Sequence, residues 1–495
     1  MNRKSRRLIE ETFPVKEVSV ESAKEKNIRH GHISTLHIWW ARKPLASSRA
    51  MAYAALVPPP RDDLEWQRQR NFIIDLAKWE NSNDATLVKK AREEILNAND
   101  GVPPKVLDCF AGGGSIPLEA LRLGCEVYAG DYNPVAVLIE KCTLEYPQKF
   151  EHAKDKTEDW GEIASERDSP LLSEVKKWGE WVLAKAKKEL EEFYPADSDG
   201  SLPVGYYWMR TIPCQNPSCR ADVPLTANFW LANKANKKVS LYPYPGGNTV
   251  KFRIVGDGYE PMPADFDPGK GTVARAVATC PCCGSTVDAN SMRRLFREGR
   301  SGQRMVAVVL HRDGTSGKRY RLANAGDIEV FGSAAAYLEE KKEVLREQWG
   351  MEPVPDEELP PRGTLGFRIQ GYNLKTWGDL FNPRQQLALV TFADAVRRAH
   401  TEMLASGVEA DLAKAVTGYL AIIFDRLADK NSNLVVYNVV GEKIEHVFGR
   451  QALGMVWDYT EINPFTDVGW LNMQEWVELV LAHLTQIPPV GGLSI

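Results

Sequence analysis

The chain has no run approaching the ~18 apolar residues that a membrane helix requires. Its basic start, Arg3, Lys4, Arg6 and Arg7, leads into no apolar signal core. The expectation is a soluble, cytoplasmic protein with no membrane partner. Eight cysteines in 495 residues are too few for a disulfide scaffold. No sign of charge dominates either: 62 Lys and Arg nearly balance 66 Asp and Glu, for a net charge of −4, so any nucleic-acid surface has to be local. Residues 1–50 are the local candidate, with eleven Lys and Arg against five Glu. Internal repeats and long low-complexity segments are absent, and 43% hydrophobic against 26% charged residues exclude a chain disordered for most of its length.

What is there divides by texture into five segments. Residues 1–100 read as helical, with an aromatic-basic block at 32–50 and a break at Pro58, Pro59 and Pro60. Residues 101–165 have the rhythm of an α/β unit. Residues 166–204 hold an amphipathic helix with Ser169 as cap, Pro170 at the first position, and Leu171, Val175, Trp178, Val182 and Ala186 on one stripe. Residues 205–333 are rich in Pro, Gly and short β-like runs and read as an inserted β module, and 334–495 read as largely helical.

The stretch 106–134 carries the most chemistry. A strand at 106–108 ends on Asp108, the chain turns through Gly112, Gly113 and Gly114, and a helix from Ser115 aims its N-terminal N–H groups at the crevice. Glycines let a ligand approach the backbone closely. A second strand at 125–129 leads to Asp131, 23 residues after Asp108, near the ~20-residue spacing of a carboxylate that accepts ribose hydroxyls. Pro117 stands where a dinucleotide fingerprint needs its third glycine, which demotes NAD and FAD.

Five of the eight cysteines fall between 214 and 283. Cys214 and Cys219 form a CxxxxC pair and Cys280 and Cys283 a CxxC pair, the ligand pattern of a closed, structural zinc site. Cys282 is left over, and Cys109, Cys125 and Cys142 are expected as buried core thiols. His30, His32 and His37 lack a carboxylate or Cys to complete a second site and are expected to be structural.

The pattern DxFxGxG at Asp108, Phe110, Gly112 and Gly114 resembles the cofactor motif of S-adenosylmethionine-dependent DNA amino-methyltransferases, and DxNP at 131–134 resembles their second motif. Cys109 departs from the proline usual there. With the HxWWARxP block at 37–44, the paired cysteines, and the stretches at 377–385 and 448–465, the chain resembles the large adenine-specific DNA methylases that carry a Zn-ribbon, found in restriction and phage-defence loci. The resemblance implies a Rossmann-like methyltransferase domain with an inserted Zn-ribbon β module and a helical C-terminal region. It implies S-adenosylmethionine bound by Asp108, Phe110, Ala111, Gly112, Gly114, Asp131 and Asn133, structural zinc, and transfer of a methyl group to adenine N6 in DNA. Trp39, Trp40, Arg42, Lys43 and Arg49 suit nucleic acid by composition, but in the resembled family this block borders the methionine end of the cofactor, the role expected of residues 40–44.

One part of such an enzyme is missing. Methylating adenine N6 needs the base flipped into a pocket that binds its amine, and enzymes of the resembled class do this with an Asp, Asn or Ser, then Pro-Pro, then an aromatic residue. The Pro-Pro pairs, within 57–61, 102–105, 359–362 and 487–490, lack these flanks. Asn463, Pro464 and Phe465 come closest and are expected to form a capped turn. The catalytic residues are therefore unknown, and the chain reads as the cofactor-binding part of a longer or split enzyme with a second polypeptide as partner. The rivals are a catalytically silent cofactor- and DNA-binding subunit and a methyltransferase acting on RNA or protein.

Overall fold

The computed structural model describes residues 6–150, 169–312, 314, 317–489 and 492–495. Arg3 and Lys4 of the basic start, and residues 151–168 at the junction of the expected cofactor unit and amphipathic helix, lie outside them. The architecture is mixed α/β, in two units: Met1–Glu180 with Arg397–Ile423 and Gln474–Ile495, and Trp181–Val396 with Phe424–Met473.

In the first unit the N-terminal segment forms helices α1 (Val15–Glu25), α2 (Leu45–Leu56), α3 (Asp63–Ala77) and α4 (Ala85–Ala98). Asp62 and Asp84 cap α3 and α4 by accepting from the Glu65 and Leu87 backbone N–H groups. Strand β1 (Lys105–Asp108), helix α5 (Ser115–Arg122) and strand β2 (Glu126–Ala129) make a βαβ turn in which β1 and β2 pair in parallel, Val106 opposite Val127. A last strand, Leu493–Ser494, adds in parallel to the far side of β2. Helix α6 (Pro134–Glu140) follows β2 and passes directly into a π-helical turn, Lys141–Glu145.

Helix α2 packs on α5 across a buried charge cluster. Glu119 Oε2 accepts from Arg49 Nη1 at 3.2 Å and from Arg122 Nε at 3.1 Å. Arg49 also donates to the carbonyls of Leu76 at 2.6 Å and Lys78 at 3.0 Å, and Arg122 to that of Ser82 at 2.8 Å. The end of α3 and the loop after it are thereby tied to the turn helix.

The second unit is built on β3 (Leu202–Pro213), twelve residues buried almost throughout. It lies inside an antiparallel sheet with β4 (Asp222–Leu225), β5 (Gly302–His311), β6 (Arg319–Leu322) and β7 (Asp458–Ile462). Helix α7 (Ala325–Trp349) covers one face with Ala334, Leu338 and Leu345. One expectation changes here. The β module is larger than 205–333, because a strand as apolar as β3 needs cover on both faces and takes it from residues after 333. The segment 334–495 is largely helical, and it also contains β7, the hairpin strands Tyr437–Asn438 and Lys443–Ile444 and the strand Leu493–Ser494. The stripe on helix Pro170–Leu190 is as expected, with Leu171, Val175, Trp178, Val182 and Ala186 all buried.

Removing Glu119 leaves two buried guanidinium groups without a counter-charge. Glu119→Ala is expected to cost about 3–5 kcal/mol, whereas Glu126→Ala, which loses a pair with the exposed Lys105, should stay within about 1 kcal/mol. Chemical denaturation of the two variants checks the contrast.

Candidate cofactor turn and metal centre

After β1 the backbone tightens at once. The Asp108 carboxylate accepts from the Phe110 N–H at 3.2 Å, and the Ala111 N–H bonds the Gly130 carbonyl at 3.0 Å, so the turn is laced to the end of β2. Gly112 and Gly114 have φ of 55° and 74°, the left-handed region where a side chain is strained, and Gly114 is the N-cap of α5. Asp131 Oδ2 accepts from the Gly112 N–H at 3.0 Å and Oδ1 from the Asn133 N–H at 2.9 Å. Each oxygen keeps a further lone pair. The residues expected to hold the cofactor are thus brought together at the C-terminal ends of two parallel strands, the usual place for a ligand in such a sheet.

Their individual roles differ. Asn133 spends its Oδ1 on capping α6, through the Val135 N–H at 2.9 Å. Phe110 is 79% exposed and Tyr132, next to Asp131, 98% exposed, so two aromatic rings flank the turn without packing partners from the core. Cys109 is also exposed, against the expectation of a core thiol, because it sits on the turn; Cys125 and Cys142 are buried as expected.

The aromatic-basic block reaches the turn through Trp39. A Cβ at Gly112 would fall 2.4 Å from Trp39 Nε1, so the indole requires glycine there, and one at Gly113 would fall 3.3 Å from Trp39 Cβ, a tight approach. Trp40, whose ring stacks on Trp39 at 6.1 Å, is half-exposed. The block is held by Glu25, whose carboxylate takes His32 Nε2 at 2.7 Å and the Leu45 and Ala46 N–H groups, both at 2.8 Å, at the start of α2. Burial works against the Glu25 charge, but the hydrogen bonds from His32, Ala46 and Leu45 outweigh it and hold its pKa below the ordinary carboxylate range. The expectation that no carboxylate stands with these histidines fails for His32, which Glu25 engages, while His37 Nδ1 donates to the Ile38 carbonyl at 2.9 Å.

Residues 12–83 match a family described as a protein of unknown function, DUF1156. No curated protein and no solved structure matches the chain. The DUF1156 segment contains Glu25, His32, Trp39 and Arg49, so the part of the chain that the match covers both caps the glycine turn and grips its helix.

The cysteine cluster lies in the second unit. Cys214 follows β3 and Cys219 precedes β4, joined by a turn in which Cys214 N–H bonds the Ala221 carbonyl at 2.8 Å. Cys280 and Cys283 sit between paired strands Val277–Thr279 and Thr286–Val287, with Gly284 at φ 73°. All four Sγ atoms lie within 4.8 Å of one another, with Cys214 to Cys283 at 3.6 Å and Cys219 to Cys280 at 3.8 Å. Four sulfurs at ~2.3 Å from one tetrahedral ion stand ~3.8 Å apart, so the group can hold a metal ion. Hydrogen bonds from the Ser285 side chain and backbone draw the Cys283 thiol down to about 6, while burial pushes Cys280 up. The leftover Cys282 is outside the cluster.

Asn463 forms the expected capped turn. Its Oδ1 accepts from the Phe465 N–H at 3.0 Å and its Nδ2 donates to the Pro203 carbonyl at 2.9 Å, and the side chain is buried.

Freshly purified protein is expected to carry about one metal ion per chain, and Cys280→Ser to lose it while the first unit stays folded. Elemental analysis finding no metal in the wild type would remove the cluster from consideration as a metal centre.

Proposed function

We propose that the chain binds S-adenosylmethionine at the glycine turn and serves as the cofactor-binding part of a DNA adenine-N6 methyltransferase of restriction or phage-defence type, with a structural zinc in the cysteine cluster. The observation that carries the reading is the joint placement of Gly112, Gly114 and Asp131: an open-backbone turn and a fixed carboxylate at the ends of adjacent parallel strands. A Rossmann-like methyltransferase fold for the first unit is part of this proposal, supported by the βαβ turn and the order of its sheet.

In this reading Asp131 accepts the ribose hydroxyls with its remaining lone pairs, and Phe110, Ala111, Gly112 and Gly114 border the methionine portion with Asp108 and Asn133 shaping the turn around it. The bound sulfonium supplies an electrophilic methyl group. What the protein adds is alignment and exclusion of water, the main rate effects where the electrophile is already reactive. The pocket for the target amine comes from outside the described residues. In support, among the described residues β1 is the edge of the sheet and its Leu107 is 74% exposed, although parallel sheets are ordinarily covered on both faces. Absence of the catalytic tetrapeptide favours a second reading, a silent cofactor- and DNA-binding subunit, and the turn equally permits an RNA or protein substrate.

Asp131→Ala should weaken S-adenosylmethionine binding by ~1.5–3 kcal/mol through loss of charge-assisted hydrogen bonds; calorimetry with unchanged affinity would refute the assignment.

Alone, the chain is expected to transfer no labelled methyl group to adenine in DNA, because no aligned acceptor is present. Adding a polypeptide with the tetrapeptide should start transfer to DNA and not to RNA or protein. Transfer by the isolated chain would contradict the split reading, and continued silence with the added polypeptide would favour the binding subunit.

A further inference from the structure

The second unit carries a helix that has no task in the account so far. Ala289–Arg297 is capped by Asp288, whose carboxylate accepts from the Asn290 and Ser291 N–H groups. Its residues Met292, Leu295 and Phe296 are buried in the same core as Cys214 and Cys280, so the cysteine loops fix one face of it. The other face is arginine. Residues 289–300 hold Arg293, Arg294, Arg297 and Arg300 against Glu298 alone, four positive charges to one negative in a protein of net charge −4.

Two further segments lie beside the helix and continue this sign. The turn Ile369–Tyr372 packs on it, with the Arg293 guanidinium 5.8 Å from the centre of the Tyr372 ring and Phe296 edge-on to that ring at 5.4 Å. Trp457 meets both rings, at 5.3 Å from Tyr372 and 6.5 Å from Phe296, and brings in residues 448–457. Residues 362–375 contain Arg362, Arg368 and Lys375, and 448–457 contain Arg450, with no carboxylate in either segment. All four of these side chains are exposed.

Arginines elsewhere in this unit bond carboxylates closely: Arg321 reaches Asp327 at 2.6 Å and Arg346 reaches Glu352 at 2.8 Å. On the helix, Arg294 and Arg300 share Glu298 at 3.9 and 3.7 Å, and among the described residues Arg293 and Arg297 have no carboxylate partner. Like charges three and four positions apart on a helix destabilise it, a cost that a polyanion removes. Arginine is also the side chain suited to phosphate, which its planar fork holds through two N–H groups. Duplex DNA presents one negative charge about every 1.7 Å of its axis.

We propose that this face, Arg293, Arg294, Arg297 and Arg300 with Arg368 beside them, binds the phosphate backbone of duplex DNA. The proposal rests on the DNA part of the reading above and adds the surface that holds the duplex; it is independent of what the glycine turn binds. These arginines are binding residues that set affinity and register and carry no base-sequence information.

The test is fluorescence anisotropy of a labelled duplex of mixed sequence titrated with the full chain at several salt concentrations. The triple variant Arg294→Gln, Arg297→Gln, Arg300→Gln should bind about tenfold or more weakly at moderate salt, with the slope of log affinity against log salt reduced by about 2–3. Arg368→Gln, on a different segment, should weaken binding by a smaller factor. The matched triple Lys185→Gln, Lys187→Gln, Lys188→Gln removes the same charge from exposed positions on helix Pro170–Leu190 and should bind as the wild type does. Equal losses in the two triples mean diffuse attraction and overturn the proposal, as does affinity that survives both arginine variants. Tighter binding of duplex RNA of the same sequence, or arginine-dependent binding of phosphatidylserine vesicles with DNA binding intact in the variants, assigns the face to another partner and overturns it too. If the wild type binds no duplex DNA, the DNA reading falls and this inference with it, whereas loss of cofactor binding alone leaves it standing.

Discussion

A carboxylate shielded from water holds two guanidinium groups in the first unit, and the position of the glycine turn depends on it. Glu119 belongs to α5, the helix that the turn launches, and Arg49 belongs to α2 in the DUF1156 segment. Their contact sets where α5 begins relative to the N-terminal helices, while Arg49 and Arg122 together occupy the carbonyls at the end of α3 and beyond it. Charges in such a place contribute through completeness more than through net attraction, since each has been stripped of water and none can lose its partner cheaply. Glu25 performs a related task at the other end of the segment, ordering the start of α2 so that Trp39 comes to lie on Gly112 and Gly113. The N-terminal segment is thus a cover for the turn rather than a module beside it.

The sign of the turn constrains what can sit near it. The whole chain is nearly neutral, yet Asp108, Asp131 and Glu140 concentrate negative charge within one short stretch. A polyanionic substrate would be repelled by that surface taken alone, so its phosphates have to be met elsewhere. In the first unit the exposed Lys43 and the half-buried Arg42 carry the opposite sign within four residues of Trp39, which packs on the turn. A cationic ligand at the turn would itself lower the barrier to bringing phosphates near.

The readable parts of this chain were those whose chemistry is local. The glycines of the turn, the aspartate after the next strand and the two cysteine pairs each need only a few neighbouring positions to declare themselves, and the structure brings each set together. What was not readable depends on distant pairing. Strand β7 contains Asp458 and Glu461, and nothing nearby in the chain explains burying them. Glu461 is satisfied by Arg384 at 2.5 Å and Asn382 at 3.0 Å from one segment and by Trp208 at 2.9 Å from another, both distant in the chain. Glu140 is a similar case. At the end of an apolar helix it looks like a surface carboxylate, and only the meeting of α6 with the turn buries it. Cys109 is the opposite case: its apolar neighbours Leu107 and Phe110 are themselves exposed, so an apolar setting in sequence is no core in space.

The strand Leu493–Ser494 has a consequence for how the molecule comes into being. It pairs with β2 in parallel, so the sheet beneath the glycine turn gains its outer strand only after more than three hundred intervening residues have been made. On a ribosome that adds ~5–20 residues per second, β1 and β2 wait tens of seconds with that flank open, during which the whole second unit emerges. Long-range parallel pairing is slow to form and exposes strand edges meanwhile. The nascent chain therefore passes through a stage in which the second unit is complete and the first is still assembling, and it is then that chaperones would find most to hold.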